Sequence, residues 1–306
     1  MNNSVTRREF LAGSAAFATV LARPAHSSET GLRPVVPGVW FYQGDFLAKG
    51  QCNSVVIERR RDLVVIDANS ASGALALQAE LRKLSPKPVR FVLLTHHHGD
   101  HIYGNAAWTR AGAVTVAHRA MLAELARLEP ARWQSQAAND AQMAAFGNAP
   151  EPPRQTFDGS SFVLDEGGQR IELHHFGTAH TRDDVVVFLP REKVLCTGDV
   201  ALSMSLNSFT DSDFDHWPVV LRAVAGLDAR HVLPGHGNPG GPEILAGQAQ
   251  FLAALAAAID QGIHEGESPA QIAANVHLPE SLQPWVSSFM PEQIRQIVSL
   301  RGVGTR

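Results

Sequence analysis

The sequence predicts an αββα sandwich, an α/β fold in which two mixed β-sheets pack face to face with helices on both outer faces. Three observations point there. Strand-like apolar runs fall into two groups, each followed by helical segments; no solenoid-type period interrupts them; and the histidine-rich stretches stand where predicted strands give way to loops. A sheet or amphipathic helix must bury its apolar face against another layer, and two strand groups with trailing helices do so in four layers.

The first group opens with Gly38 to Gln43, Asn53 to Glu58 and Leu63 to Ala68, runs enriched in β-branched and aromatic residues that read as an antiparallel start. Ala71 to Leu84 is helical by period, and Val89 to Thr95 is a continuous apolar run of a buried strand. Tyr103 to Ala111 reads as a helix ended by Gly112, Val114 to Ala117 as a short strand, and Ala120 to Gln142 as a helix broken at Pro130. A Pro-rich loop over Asn148 to Arg154 follows. The second group has a hairpin about Glu166-Gly167-Gly168, strands over Val185 to Leu189 and Lys193 to Thr197, a helix from Phe214 to Leu227 and a strand over His231 to Leu233. Helices over Pro242 to Ile263 and Ser268 to Leu300 complete the chain, so that C-terminal helices span about 242–300 of a domain covering 29–306.

The 306 residues are 44% hydrophobic and 18% charged with a formal net charge of -4, enough apolar material for a full core and no electrostatic footprint for nucleic acid. Two cysteines, Cys52 and Cys196, exclude a disulfide framework, and Cys196 inside a predicted strand reads as a small buried hydrophobe. Fourteen histidines are the compositional oddity. Residues 1–28 carry Thr6-Arg7-Arg8-Glu9-Phe10-Leu11, a weakly apolar run from Ala12 to Ala22, and small residues near Ala25 to Ser28, which resembles a twin-arginine signal peptide. The apolar run is too short to be a stable membrane anchor. The resemblance implies delivery by the twin-arginine export machinery to the periplasm in a folded state, with any metal already bound.

The strand over Phe91 to Thr95 runs into His96-His97-His98-Gly99-Asp100-His101. Alternate side chains of an extended segment share a face, so His96 and His98 can grip one ion while His97 points away. Gly99 lets the chain turn and bring Asp100 and His101 toward a second position. Imidazole and carboxylate at this density suit zinc, with iron or manganese next.

His96-His98-Asp100-His101 resembles the HxHxDH signature of the metallo-β-lactamase superfamily, and three later stretches resemble its remaining motifs in order: Gly177-Thr178-Ala179-His180-Thr181, Cys196-Thr197-Gly198-Asp199 and Pro234-Gly235-His236-Gly237. The resemblance implies that His96, His98 and His180 hold a first metal, that Asp100, His101 and His236 hold a second, and that Asp199 bridges the two. It implies a dinuclear zinc hydrolase in which two divalent ions roughly 3.5 Å apart acidify a shared water, with Asp100 also relaying a proton and no serine or cysteine nucleophile. Two dications against Asp100, Asp199 and one hydroxide leave a charge of about +1, suited to a small-molecule ester, lactone, thioester, amide or phosphoester. Asp67, Asp183 and Asp184 are the candidates to accept the other N–H of a liganding histidine.

Asp199 at the bridging position is unlike the narrow β-lactamases. It is similar to the glyoxalase, lactonase and phosphodiesterase branches and to exported zinc metallohydrolases that accompany periplasmic quinoprotein systems. Tyr103-Gly104-Asn105 departs from the glycine pair of glyoxalases. Two alternatives stand beside the hydrolase: a β-lactamase proper, and a non-hydrolytic iron-dependent dioxygenase of the same fold. His118, His174, His175, His216, His231, His264 and His277 have no motif around them and read as packing or surface residues. The irregular stretches 130–160 and 203–216 are where substrate specificity is expected.

Overall fold

The β-branched runs, buried on both faces in the central strands, build two sheets, and the intervening helices cover them. The computed structural model describes residues 31–138 and 140–301; the signal-peptide reading falls outside them. Strands β1 (Leu32–Val36) and β2 (Val39–Tyr42), the turn α1 (Phe46–Lys49), and strands β3 (Ser54–Glu58) and β4 (Leu63–Ile66) form an antiparallel meander. Helix α2 (Ala71–Leu84) then crosses to β5 (Val89–Leu93), the turn α3 (Gly99–Ile102) and α4 (Asn105–Arg110) lead to β6 (Val114–His118), and α5 (Ala120–Ala137) with α6 (Ala141–Ala144) leads to β7 (Gln155–Phe157). Strands β4 to β7 pair in parallel, so the first sheet is mixed.

The second sheet repeats the plan at smaller scale. Strands β8 (Ser161–Leu164), β9 (Ile171–His174), β10 (Val186–Leu189) and β11 (Val194–Gly198) are antiparallel; α7 (Trp217–Ala225) crosses over, and β12 (His231–Pro234) pairs parallel to β11. Helices α8 (Glu243–His264) and α9 (Pro269–Asn275), a 3-10 turn (Glu280–Trp285) and α10 (Met290–Leu300) follow. Among the described residues no helix is long and apolar enough to cross a membrane.

Alternation sorts the core into three layers. Val55, Ile57, Val64 and Ile66 face Leu173, Val187 and Leu233 between the sheets. Val56, Leu63 and Val65 point the other way, onto Leu77, Trp108 and Met121 of the first helical layer. Val186, Leu195 and Val232 pack on Trp217, Phe251 and Leu255 of the second. Helix starts are fixed locally: the Ser70 hydroxyl accepts from Gly73 N at 3.3 Å, and Ser268 with Gln271 forms a capping box.

The expected αββα sandwich is therefore the observed one, with differences at element ends. The helix expected from Tyr103 begins at Asn105, because Gly104 turns the chain and donates its N–H to the Asn69 carbonyl. Helix α5 runs through Pro130 rather than breaking there: Pro130 and Ala126 are both exposed, so water can satisfy the carbonyl that the missing N–H leaves free. The single helical stretch expected over Ser268 to Leu300 is divided, with Pro279 and Pro284 at the 3-10 turn. Strand β1 precedes the expected start of the first sheet.

The β8–β9 hairpin tests this layering. Leu173→Ala empties a fully buried site between the sheets and should cost ~2–5 kcal/mol, whereas Val163→Ala, 37% exposed on the same hairpin, should stay within ~0.5 kcal/mol by urea unfolding.

Candidate metal centre

One edge of the sandwich gathers the carboxyl ends of β4, β5, β11 and β12 and the β9–β10 connection, the place where ligands bind in sheets with parallel strands. There the seven expected donors meet. His96, His98 and His180 bring ligand atoms within 4.8 Å of one another, as do Asp100, His101 and His236, and His96, His101 and Asp199. His98 Nδ1 lies 3.0 Å from His180 Nε2, and His236 Nε2 lies 3.0 Å from Asp100 Oδ2. Asp199 stands between the trios, its Oδ2 3.6 Å from His180 Nε2 and 3.5 Å from His236 Nε2, its Oδ1 3.4 Å from His101 Nε2.

Local backbone geometry makes this convergence. Asp67 closes β4 in the left-handed region at φ 63°, a costly conformation for a non-glycine residue. Its carboxylate accepts from Thr95 N at 2.8 Å, from Thr95 Oγ1 at 3.0 Å and from His101 Nδ1 at 2.8 Å. Because Thr95 Oγ1 spends its proton on Asp67, it accepts from His96 Nδ1 at 3.0 Å, which leaves the His96 Nε2 lone pair facing the centre. At the opposite wall, a Cβ on Gly235 would lie 2.2 Å from Asp199 Oδ1 and 2.9 Å from His101 Cε1, so only glycine fits beside His236. Asn53 ties the sheets together there: it donates from Nδ2 to the Pro234 and Gly237 carbonyls at 2.9 Å each and from its backbone to the Gly235 carbonyl at 2.8 Å.

Charge follows burial. Removal from water, reinforced by the surrounding imidazoles, holds His96 well below its usual range and His180 down to about 3, so both are neutral lone-pair donors. Burial also opposes charge on His101 and His236, but the acidic groups around them outweigh it and raise both. At Asp100 burial is overcome by His101 and His236, which lower it to about 2; Asp199 is lowered for similar reasons. His96 Nε2 and Asp199 Oδ1 are buried without any hydrogen-bond partner. Two orphaned donors aimed into a nitrogen and oxygen cluster fit a borderline divalent cation such as zinc.

The neighbouring acids divide differently from expectation. Asp67 does accept from His101, but Asp183 accepts from Nδ1 of His97 at 2.7 Å, and His97 lies outside the seven. Asp184 accepts instead from Thr181 N at 2.9 Å and Thr181 Oγ1 at 2.6 Å, closing the loop after His180. Burial alone would push His97 down; its hydrogen bonds to Asp183 and Asp211 prevail and raise it to about 9. Tyr103 belongs to the core, packed on Trp133 with its hydroxyl donating to Glu129 at 2.6 Å. Of the histidines without a motif, His118 stacks on His175, and His216 donates from Nδ1 to the Thr178 carbonyl at 2.8 Å. Two residues beside the centre carried no pattern in the sequence: Asn53, and Asp211, whose Oδ2 lies 2.9 Å from His98 Nε2. Cys52, fully buried behind His101 with its thiol pushed up to about 12 by burial, is no nucleophile.

The family model for the metallo-beta-lactamase superfamily matches residues 47–236, from α1 to the last of the seven donors. The chain belongs to the metallo-β-lactamase superfamily. It is 26% identical over 207 residues to the type 2 metallo-β-lactamase of Bacteroides fragilis, covering 65% of this chain and 74% of that one. It is 22% identical over 286 residues to the linear primary-alkylsulfatase of Pseudomonas sp. (strain ATCC 19151), covering 79% of this chain and 54% of that one. Among solved structures, a metallo-β-lactamase from Pontibacter korlensis superposes with a TM-score of 0.59 at 22% identity over 72% of this chain and 98% of that one. An inverting sec-alkylsulfatase from Pseudomonas sp. superposes at 0.68 and 22% identity over 90% of this chain and 51% of that one. The chain thus spans about half the length of the alkylsulfatases it matches. As a member of this superfamily, the protein is a metal-dependent hydrolase.

Asp67→Ala removes the acceptor for Thr95 N and His101 Nδ1 together. It should weaken cation binding ~10–100-fold in a chelator competition and lower stability by ~1–3 kcal/mol for each buried donor left unpaired.

Proposed function

We propose that the protein is a dinuclear zinc hydrolase acting on a small molecule with a scissile ester, lactone, thioester, amide or phosphoester. The observation that supports it is Asp199, whose two oxygens face the His96/His98/His180 trio and the Asp100/His101/His236 trio at once. Two divalent ions bound there would supply a Lewis acid for the scissile group and an acidified water as nucleophile. His96, His98 and His180 would hold the first ion, Asp100, His101 and His236 the second, and Asp199 both. Asp100, 21% exposed and the most open of the seven side chains, would accept the proton given up by the attacking water and return it to the leaving group. With the thiols of both cysteines buried and raised, neither offers a covalent route.

Two further classes follow from the relatives. A sulfate ester is drawn from the alkylsulfatases, and a β-lactam is a second reading drawn from the type 2 enzymes, against which the carboxylate at the bridging position weighs. Metal analysis of the purified protein should find two zinc ions per chain, and chelation should abolish hydrolysis that added zinc restores. Asp199→Ala should lower kcat/KM by on the order of 10²-fold or more on whichever member of a carboxylic ester, lactone, phosphodiester, sulfate ester and β-lactam panel is turned over. Iron as the dominant metal, with oxygen consumption and no hydrolysis, would sink this reading in favour of a dioxygenase.

Export through the twin-arginine route to the periplasm is part of the same proposal, carried by Arg7-Arg8 in their context. An Arg7→Lys, Arg8→Lys double variant should accumulate zinc-loaded in the cytoplasm; unchanged periplasmic recovery on fractionation would refute it.

A further inference from the structure

One carboxylate outside the seven reaches the centre from a stretch without periodicity. Asp211 lies between β11 and α7, yet its side chain is only 6% exposed. Its Oδ2 is 2.9 Å from His98 Nε2, 2.7 Å from Arg132 Nη2 and 3.7 Å from His97 Nε2. The segment around it is pinned. Phe209 and Phe214 are buried on either side, in edge-to-face contact with each other, and Asp213 donates its N–H to the Ala179 carbonyl at 2.9 Å, next to His180. Arg132, reaching in from α5, is fixed in turn: its Nη1 donates to Glu129 Oε1 at 3.0 Å, and Glu129 Oε2 accepts from the Tyr103 hydroxyl at 2.6 Å with Glu129 fully buried.

A neutral imidazole carries one N–H and one lone pair, and the partner of one nitrogen decides the role of the other. Asp211, ion-paired to Arg132, is an acceptor only. The His98 proton therefore sits on Nε2, and the lone pair falls on Nδ1, the atom 3.0 Å from His180 Nε2 inside the first trio. His96 reaches the same end through Thr95 and Asp67, with the opposite nitrogen exposed to the centre. Neutral amide or hydroxyl partners could rotate to serve either tautomer; a carboxylate clamped by a guanidinium cannot.

We infer that Asp211 is a positioning residue for the first metal position, fixing the tautomer and ring angle of His98, and that Arg132 holds its carboxylate in place. This rests on the reading of His96, His98 and His180 as ligands of one ion. It ties that ion to the 203–216 stretch and to α5, neither of which contributes a ligand.

The test uses full-length protein with zinc and cobalt ions as probes. Asp211→Asn and Asp211→Ala should weaken the binding step assigned to the first trio by ~10–100-fold in chelator competition, shift the cobalt absorption of that position, and leave the other step unchanged. Asp211→Glu should recover part of the loss, and Arg132→Gln should reproduce part of it. Wild-type affinity and an unaltered cobalt spectrum in both Asp211 variants would overturn the inference, as would equal weakening of both steps with no spectral shift. Should the variants fail to fold, nitrogen-15 NMR of histidines in the wild-type protein decides: a His98 proton on Nε2 supports the assignment, and one on Nδ1 overturns it. Wild-type protein that takes up no zinc at the first trio would defeat the ligand reading itself, and the His98 tautomer in that metal-free protein would still decide whether Asp211 sets it.

Discussion

Gathering five imidazoles and two carboxylates at one poorly hydrated strand edge is unfavourable unless positive charge sits among them. An unpaired buried carboxylate alone costs several kcal/mol, and Asp199 keeps one oxygen buried without a hydrogen-bond partner. Every unusual feature nearby serves to hold that arrangement: the left-handed turn at Asp67, the glycine that admits His236 beside Asp199, and the Asn53 amide stitched to the β12 loop. A less rigid scaffold would let the donors splay toward water. The three apolar layers of the sandwich provide the rigidity, since close-packed interiors transmit strain instead of yielding to it.

The same frame explains how one superfamily serves several kinds of hydrolysis. The donors come from strand ends anchored between the sheets, while the walls around them come from connections that are free to vary. Here the 203–216 stretch and α5 form one such wall, and through Asp211 and Arg132 that wall is in contact with His98. The family match ends at His236, and α8, α9 and α10 lie beyond it, covering the outer face of the second sheet.

Much of the centre was readable before any coordinates. Alternation along an extended chain separated His96 and His98 from His97, continuous apolar runs marked the buried strands, and Gly99 marked the turn that brings Asp100 and His101 round. What escaped detection depends on contacts distant in sequence. Asp211 is one acid among several in an irregular loop, and only the docking of Phe209 and Phe214 carries it to His98. Asn53 stands just before β3 like any polar residue and acquires its role from the end of β12, 181 residues away. Asp183 and Asp184 follow His180 closely enough in sequence to suggest partnership, but the turn after His180 sends one to His97 and folds the other back on Thr181. Pro130 was read by a local rule that exposure on the solvent side of α5 relaxes.

The sheet order has one more implication. Asp67, His96, His98, Asp100 and His101 belong to the first sheet's edge, whereas His180, Asp199 and His236 belong to the second's, so each trio takes members from both halves of the chain. Neither half alone offers a complete coordination sphere. A cation captured here would act as a rivet between the layers, adding a stabilisation that grows with the logarithm of its free concentration and is withheld from any partly assembled chain. Occupancy would then be a certificate that both halves have folded and docked.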